Sequence, residues 1–300
     1  MLSLLADAAS QPIYFQDLGL SDHLFQIGSF KLRYYSLAYI IGLFFAYWHM
    51  GKMIKAPGAP MTQPHVDDLF FYCMLGVILG GRLGYAAFYT GGDSSKPNMF
   101  TNFTPSEAVS WDLLRLWDGG MSFHGGVVGV VVAILYVAWR NKLNWLRMCD
   151  YVAVCVPMGM LLGRLANFVN GELYGRATDV SWAMIFPSDP AQLARHPSQL
   201  YQAGLEGLLM LAVLMFLFWK TKARWKPGLL VGVFTIGIAS ARFISEFFRE
   251  PDAQLAQRVV ETGLSQGQWL SIPMIAVGVG VVIYSFMRKP AGEAGKAPAA

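Results

Sequence analysis

Several long apolar runs separated by polar connections constrain this chain more than any other feature. They cover roughly 34–51, 68–90, 120–139, 150–170, 199–219, 228–248 and 268–287. A bilayer core of about 30 Å is crossed by a helix of about 20 apolar residues, which is the length of these runs. They are too long for strands, and an open sheet edge cannot survive in hydrocarbon. The sequence therefore predicts an all-α integral membrane protein with seven transmembrane helices. Charged residues make up only 14% of the chain, against about 25% in soluble domains. Gly76, Gly80, Gly81 and Gly84 put small residues where helices can approach closely.

Positive charge sets the direction of the helices. Lys52 and Lys55 follow the first run, Arg140, Lys142 and Arg147 the third, and Lys220, Lys222, Arg224 and Lys226 the fifth. The tail adds Arg288, Lys289 and Lys296, whereas the opposite connections hold only Lys96, Arg115, Arg176, Arg195, Arg249 and Arg258. The N-terminus is expected outside the cell membrane and the C-terminus in the cytoplasm. The opening residues carry Asp7, Asp17 and Asp22 and lack a basic segment followed by an apolar one. The first span, rather than a cleaved signal peptide, is expected to do the targeting. The expected organisation is a periplasmic segment at 1–33, a helical catalytic domain at 34–287 with outer loops near 91–119 and 171–198, and a disordered tail at 288–300.

Charged groups at membrane depth are costly and are functional candidates. This chain keeps Arg82, Arg164, Glu206, Arg242 and Glu246 inside its apolar runs, with Tyr35, His124, Asn167 and Asn170 at or near run ends. Given the derived direction, Tyr35, Arg82, His124, Arg164, Glu206 and Arg242 all fall in the outer half. One polar cavity on the periplasmic side is the expected result. Two structural alternatives stand beside it. Arg242 and Glu246, four apart on one helix face, can simply pair, and Arg82 can snorkel to the headgroups.

Arginine is the planar fork for phosphate, and the commonest phosphate at that depth belongs to a lipid. Asn167 shares a face with Arg164 and can donate to phosphate or carbonyl oxygens. His124 can take a proton near neutral pH, or it can cap a helix. Cys73, Cys149 and Cys155 lack ligand spacing and read as inert thiols; no metal and no cofactor are expected. No Gly-rich Lys loop suggests a nucleotide, and no basic run suggests nucleic acid. These residues suit displacement at a phosphate-ester carbon or at phosphorus.

The stretch from Gly163 through Arg164, Asn167, Asn170 and Glu172 to Gly175 follows the pattern G-R-x-[GA]-N-F-x-N-x-E-x-x-G. It resembles the prolipoprotein diacylglyceryl transferase family. Similar blocks run from Gly80 to Tyr85, Trp117 to Gly126, Arg195 to Tyr201 and Arg242 to Asp252, and the resemblance extends from about Tyr34 to Met287. Departures are Ser36 for a frequent Gly, Tyr174 for a frequent Trp, and Ile238 for a frequent Tyr.

The resemblance implies a multi-pass enzyme of the bacterial inner membrane. Its expected partners are membrane lipids and the signal peptides of prolipoproteins. It would transfer diacylglyceryl from phosphatidylglycerol to a lipobox cysteine and release glycerol phosphate. It implies essential roles for Arg164 and Arg242 and important ones for His124, Tyr35, Asn167, Glu172 and Gly175. Arg82 is expected at the headgroup, with Asn170 and Glu246 in support. The competing readings are an anion transporter or channel, a receptor or scaffold without chemistry, and a headgroup hydrolase using water. A lipobox peptide supplied with phosphatidylglycerol separates them.

Overall fold

The structure is a computed structural model describing residues 12–21, 23–27, 30–92, 97–250 and 262–288. Asp7, Asp22, Lys96, Asp252, Arg258, Lys289, Lys296 and the expected disordered tail beyond Arg288 lie outside the described residues. The chain packs as two units. One contains the described residues up to Met50 and from Asp150 on; the other is Gly51–Cys149.

The second unit is built on two helices, α2 (Gln63–Tyr89) and α3 (Phe123–Arg140). Thr62 and His65 close a capping box at the start of α2, and Ser122 caps α3 by accepting the Gly125 N–H at 3.2 Å. The helices touch along glycines. A Cβ on Gly76 would sit 2.5 Å from the Gly129 carbonyl oxygen and one on Gly84 2.9 Å from Gly125 Cα; Gly80 and Gly125 meet in the same way. No side chain fits between these backbones, as the small-residue spacing predicts. Gly81 differs, because its neighbour is the flexible Met121 side chain.

The first unit holds α1 (Tyr34–Met53, up to Met50), α4 (Trp145–Val169, from Asp150), α5 (Ser198–Lys220), α6 (Leu229–Ser245) and α7 (Gln266–Met287). Asp150, buried in α4, accepts the N–H groups of Gly228 and Val231 at 2.8 Å each and so caps α6 from a neighbouring helix. α5 carries a π-helical segment at Ala203–Leu209. Gly207 in that segment meets Leu161 of α4, where a Cβ would lie 2.6 Å from Leu161 Cα.

Outside the helices, β1 (Ile13–Tyr14) pairs in parallel with β4 (Met184–Ile185), which pairs antiparallel with β5 (Ala194–Arg195). Phe15, Phe168, Tyr174 and Phe186 pack their rings beneath this small sheet. A hairpin of β2 (His23–Ile27) and β3 (Phe30–Arg33) leads into α1. The all-α expectation thus holds for the apolar segments, and short strands appear in the polar ones. The segment before α1 joins residues 171–198 in one cap, which the sequence division at residue 33 did not anticipate.

Among the described residues, five helices are long and apolar enough to cross a membrane: α2, α3, α4, α5 and α7. α6 has 17 residues. α1 has 20, but Tyr34, Tyr35, Tyr39, Tyr47 and His49 dilute its apolar character. Helix surfaces expose Phe44, Phe88, Val128, Phe216 and Val277, the reverse of a soluble helix face. His49, for which the sequence suggested no partner, is buried and accepts the Trp219 indole N–H at 3.2 Å.

Candidate active site

The first unit gathers most of the sequence candidates. Arg164 lies toward the C-terminal end of α4, where its Nε and Nη2 donate to Glu206 Oε2 at 3.2 and 3.1 Å. Glu206 comes from the π-helical turn of α5 and is fully buried. The Gly207–Leu161 backbone contact, one turn before Arg164, brings the two helices close enough for this pair. π-turns are frequent at functional sites, and here the turn aims a carboxylate at an arginine. The Arg164 side chain remains 22% exposed. Its Nη1 amino group has no partner among the described residues.

Arg242, on the last turn of α6, forms an ion pair from Nη2 to Glu246 Oε1 at 2.6 Å, and its side chain is 27% exposed. The Ser265 hydroxyl donates to Glu246 Oε2 at 2.8 Å. Arg249 reaches the same carboxylate at 3.5 Å. Arg242 also interacts electrostatically with Glu206 and Arg164, so both arginines share one field. Two carboxylates, Glu206 and Glu246, thus hold the guanidiniums of Arg164, Arg242 and Arg249. The i,i+4 pairing of Arg242 and Glu246 that the sequence allowed is present, yet Nε and Nη1 of Arg242 keep no protein partner among the described residues.

A second network surrounds Glu172. Asn167 donates to Glu172 Oε1 at 3.1 Å and Asn170 to the same oxygen at 3.3 Å. Asn167 also donates to the Tyr35 hydroxyl. The carbonyl of Glu172 accepts the Gln199 amide at 2.7 Å, which ties the motif to the start of α5. Gly175 then passes between His196 and Phe248. A Cβ there would lie 2.8 Å from His196 Cβ and closer still to the Phe248 carbonyl oxygen. No other residue fits without moving one of the two strands, which gives Gly175 a steric reason.

Arg195 fastens the cap. It pairs with Asp189 at 2.5 Å and Glu250 at 3.2 Å, and it donates to the Gly175 carbonyl at 3.3 Å. Its guanidinium lies over the Tyr174 ring, 4.9 Å from the centroid, so tyrosine serves at that departure as a cation–π platform. The Arg195 hydrogen bond holds the Asp189 carboxyl below its ordinary range. Burial likewise lowers His196.

The Gly51–Cys149 unit holds the other two candidates. Arg82 is buried and every N–H it owns faces a backbone carbonyl. Nε donates to Leu113 at 3.0 Å, Nη2 to Asp112 at 2.6 Å and Arg115 at 2.8 Å, and Nη1 to Gly120 at 3.2 Å and to Gly119. No donor is left over for a phosphate. The expectation that Arg82 binds a headgroup, and the alternative that it snorkels, both give way to a clamp on the loop before α3. His124 is the second residue of α3 and is exposed. Its ring lies edge-on to Phe123 and has no hydrogen-bond partner among the described residues. Ser122 provides the cap, so His124 is not the capping group.

Sequence reasoning missed Arg249 as part of the ion-pair chain and counted it only as a loop charge. Its position three residues after Glu246 carried the signal. It also missed Gln199, Gln202 and Ser265, which polar residues inside apolar runs would have flagged. No group of His, Cys, Asp and Glu suited to a metal ion occurs among the described residues.

Residues 22–284 match the family model described as prolipoprotein diacylglyceryl transferase. A phosphatidylglycerol–prolipoprotein diacylglyceryl transferase of Erythrobacter litoralis is 68% identical over 96% of this chain and 97% of its own length. The enzymes of that name from Zymomonas mobilis and Pseudoalteromonas translucida are 46% and 44% identical, over 92% and 88% of this chain and 95% and 92% of their own lengths.

Proposed function

Because the chain belongs to the prolipoprotein diacylglyceryl transferase family, we propose that it transfers the diacylglyceryl group of phosphatidylglycerol to the lipobox cysteine of a prolipoprotein. The thiolate attacks the glycerol carbon that bears the phosphate. A C–S bond forms, the C–O bond to phosphate breaks, and glycerol phosphate leaves. The product is a thioether, and the reaction as written needs neither metal nor cofactor.

Arg164 and Arg242 hold the phosphate and stabilise charge growing on the leaving oxygen. The observation that carries this is the pattern of unused donors. Each arginine is steered by a buried glutamate on one side and keeps N–H groups on the other. Asn167 and Tyr35 extend the donor set toward the headgroup. Asn170 and Glu172 hold Asn167 in place, Glu246 orients Arg242, and Gly175 lets the cap strand through.

His124 is the group assigned to accept the thiol proton. A free cysteine has pKa about 8.5 and must lose that proton to react. The support is an exposed imidazole with no hydrogen-bond partner among the described residues, and a histidine side chain can take a proton near neutral pH.

α1 and α6 join the other five helices as spans, for a total of seven. Lysines and arginines on one set of connections direct the N-terminus to the periplasm and the C-terminus to the cytoplasm. The active site then opens toward the periplasmic side of the inner membrane, and the signal peptide enters sideways from the bilayer.

The test supplies the purified protein with phosphatidylglycerol and a lipobox peptide. A peptide mass gain equal to diacylglyceryl, with stoichiometric glycerol phosphate, is expected. Phosphate-ester cleavage without peptide modification would instead identify a hydrolase. A folded, lipid-binding His124→Gln enzyme that turns over normally at neutral pH would remove His124 as the base.

A further inference from the structure

The carboxylate that steers Arg242 is itself held by α7, a helix the proposed chemistry does not otherwise use. Glu246 directly follows α6 and is buried. Its two oxygens face different partners. Oε1 pairs with Arg242 at 2.6 Å and with Arg249 at 3.5 Å, whereas Oε2 accepts the Ser265 hydroxyl at 2.8 Å. Oε2 has no other hydrogen-bond partner among the described residues. Ser265 is the N-cap of α7, and its oxygen also accepts the Gln268 N–H at 3.1 Å. One hydroxyl therefore caps a helix as acceptor and turns a carboxylate as donor.

The rest of the first turn of α7 secures this contact. The Ser265 N–H donates to Gln268 Oε1 at 2.9 Å, and Gln268 Nε2 donates to the Phe243 carbonyl of α6 at 3.4 Å. Gly267 lies against the carboxylate, where a Cβ would sit 2.7 Å from both Cδ and Oε1 of Glu246. Further along, α6 and α7 touch at their backbones, where a Cβ on Gly278 would lie 3.1 Å from the Gly232 carbonyl oxygen. That contact fixes the register of the two helices. The carboxylate also lies beside the positive end of the α7 dipole.

A cap alone explains neither the second bond of Ser265 nor the glycine two residues later, since glycine is a poor helix former. Both fit a seat for Glu246. The hydroxyl fixes Oε2, the missing side chain leaves room for Cδ and Oε1, and Oε1 is thereby turned to the arginine.

We propose that Ser265 and Gly267 are positioning residues, through which the first turn of α7 fixes the Glu246 carboxylate and so aims the guanidinium of Arg242. The inference rests on the proposed function and extends its machinery to a helix that contributes no group to the phosphate itself.

The test measures kcat/KM of the full-length protein for transfer from phosphatidylglycerol to a lipobox peptide, with thermal unfolding of each preparation. Ser265→Gly removes the hydroxyl but leaves a residue that caps nearly as well. Its kcat/KM should fall about ten-fold, the scale of one hydrogen bond to a charged group, with Tm close to wild type. Ser265→Thr keeps the hydroxyl and should transfer like wild type. Gly267→Ala pushes a methyl group into the carboxylate. The end of the Glu246 side chain can yield and alanine favours the helix, so the variant should fold. Its kcat/KM should nevertheless drop about 100-fold, the effect of an ångström-scale displacement at a reacting centre. Both changes act on one carboxylate, so Ser265→Gly should add little in the double variant, whereas independent structural defects would add.

Wild-type kcat/KM in folded Ser265→Gly or folded Gly267→Ala would overturn the inference. So would full additivity in the double variant, or a Ser265→Thr protein as slow as Ser265→Gly. If Gly267→Ala does not fold, the two serine variants decide. A Ser265→Gly protein that does not fold would make the hydroxyl structural and overturn the inference as well. Wild type that transfers no diacylglyceryl would instead sink the proposed function, so the two failures are distinct.

Discussion

Replacing Arg164 with alanine removes two kinds of contact that a second substitution can separate. The first is the pair with Glu206, which is only 1% exposed. Stranding a buried charge costs about 3–5 kcal/mol. The Arg164 side chain is 22% exposed, so water already screens part of the pair, and about 3 kcal/mol is the appropriate end of that range. At about 2–4 °C per kcal/mol, Tm in detergent should fall by about 6–12 °C. Adding Glu206→Gln replaces the stranded charge with a neutral amide, so R164A/E206Q should recover most of the loss. The second contact is with the substrate. Losing two charge-assisted hydrogen bonds to a phosphate, at about 1.5–3 kcal/mol each, removes about 3–6 kcal/mol of transition-state stabilisation. That corresponds to a fall of about 10²–10⁴ in kcat/KM. The assay is transfer from phosphatidylglycerol to a lipobox peptide, alongside thermal unfolding of the same preparations. The double variant should be folded and nearly inactive. Wild-type transfer by R164A/E206Q would refute the phosphate clamp, and an unchanged Tm in R164A would refute the buried-pair argument.

Gly175→Ala should abolish transfer, because its Cβ collides with His196 and the Phe248 carbonyl; normal activity with unshifted unfolding would remove the steric account. Arg82→Lys keeps the charge but cannot span the carbonyls of 112–120, so protease cleavage in that loop should speed up while the variant still inserts into membranes. The outer cap should loosen in acid in two stages, read as faster amide exchange over 171–198. His196 has a lowered pKa in the fold, so the unfolded cap takes up a proton first and stability falls from about pH 6.5 downward. Asp189 is also held low, by Arg195; its contribution is complete above about pH 4 and is lost as pH drops through its folded value.

The apolar helices were legible because bilayer thickness writes itself as run length. The buried ion pairs of Arg164 and Arg242 were legible as polar features because a charge in an apolar run is costly enough to need a partner. The same argument failed for Arg82, and the failure is physical. A guanidinium can be satisfied by backbone carbonyls as well as by phosphate, and those of Asp112, Leu113, Arg115, Gly119 and Gly120 sit thirty or more residues away in sequence. Carbonyls have no side-chain signature, so no reading of residue types could find them. The joining of the N-terminal segment to residues 171–198 was missed for a related reason, because the strands are two residues long and recruit Ile13–Tyr14 to Met184–Ile185 across more than half the chain.

Burial alone does not separate an arginine available to a ligand from a structural one. Arg82, Arg164 and Arg242 all lie in apolar runs. They differ in how much of the guanidinium the protein itself engages: every N–H at Arg82, Nε and Nη2 at Arg164, and Nη2 in an ion pair at Arg242. The glutamates explain why the latter two remain incompletely neutralised. Glu206 holds one edge of Arg164 through Nε and Nη2, and Glu246 pairs with Nη2 of Arg242. A carboxylate engaging the whole fork would cancel the charge, and a site without carboxylates would carry unpaired cations into the membrane. Partial pairing avoids both and keeps N–H groups of the two guanidiniums available for an anionic ligand.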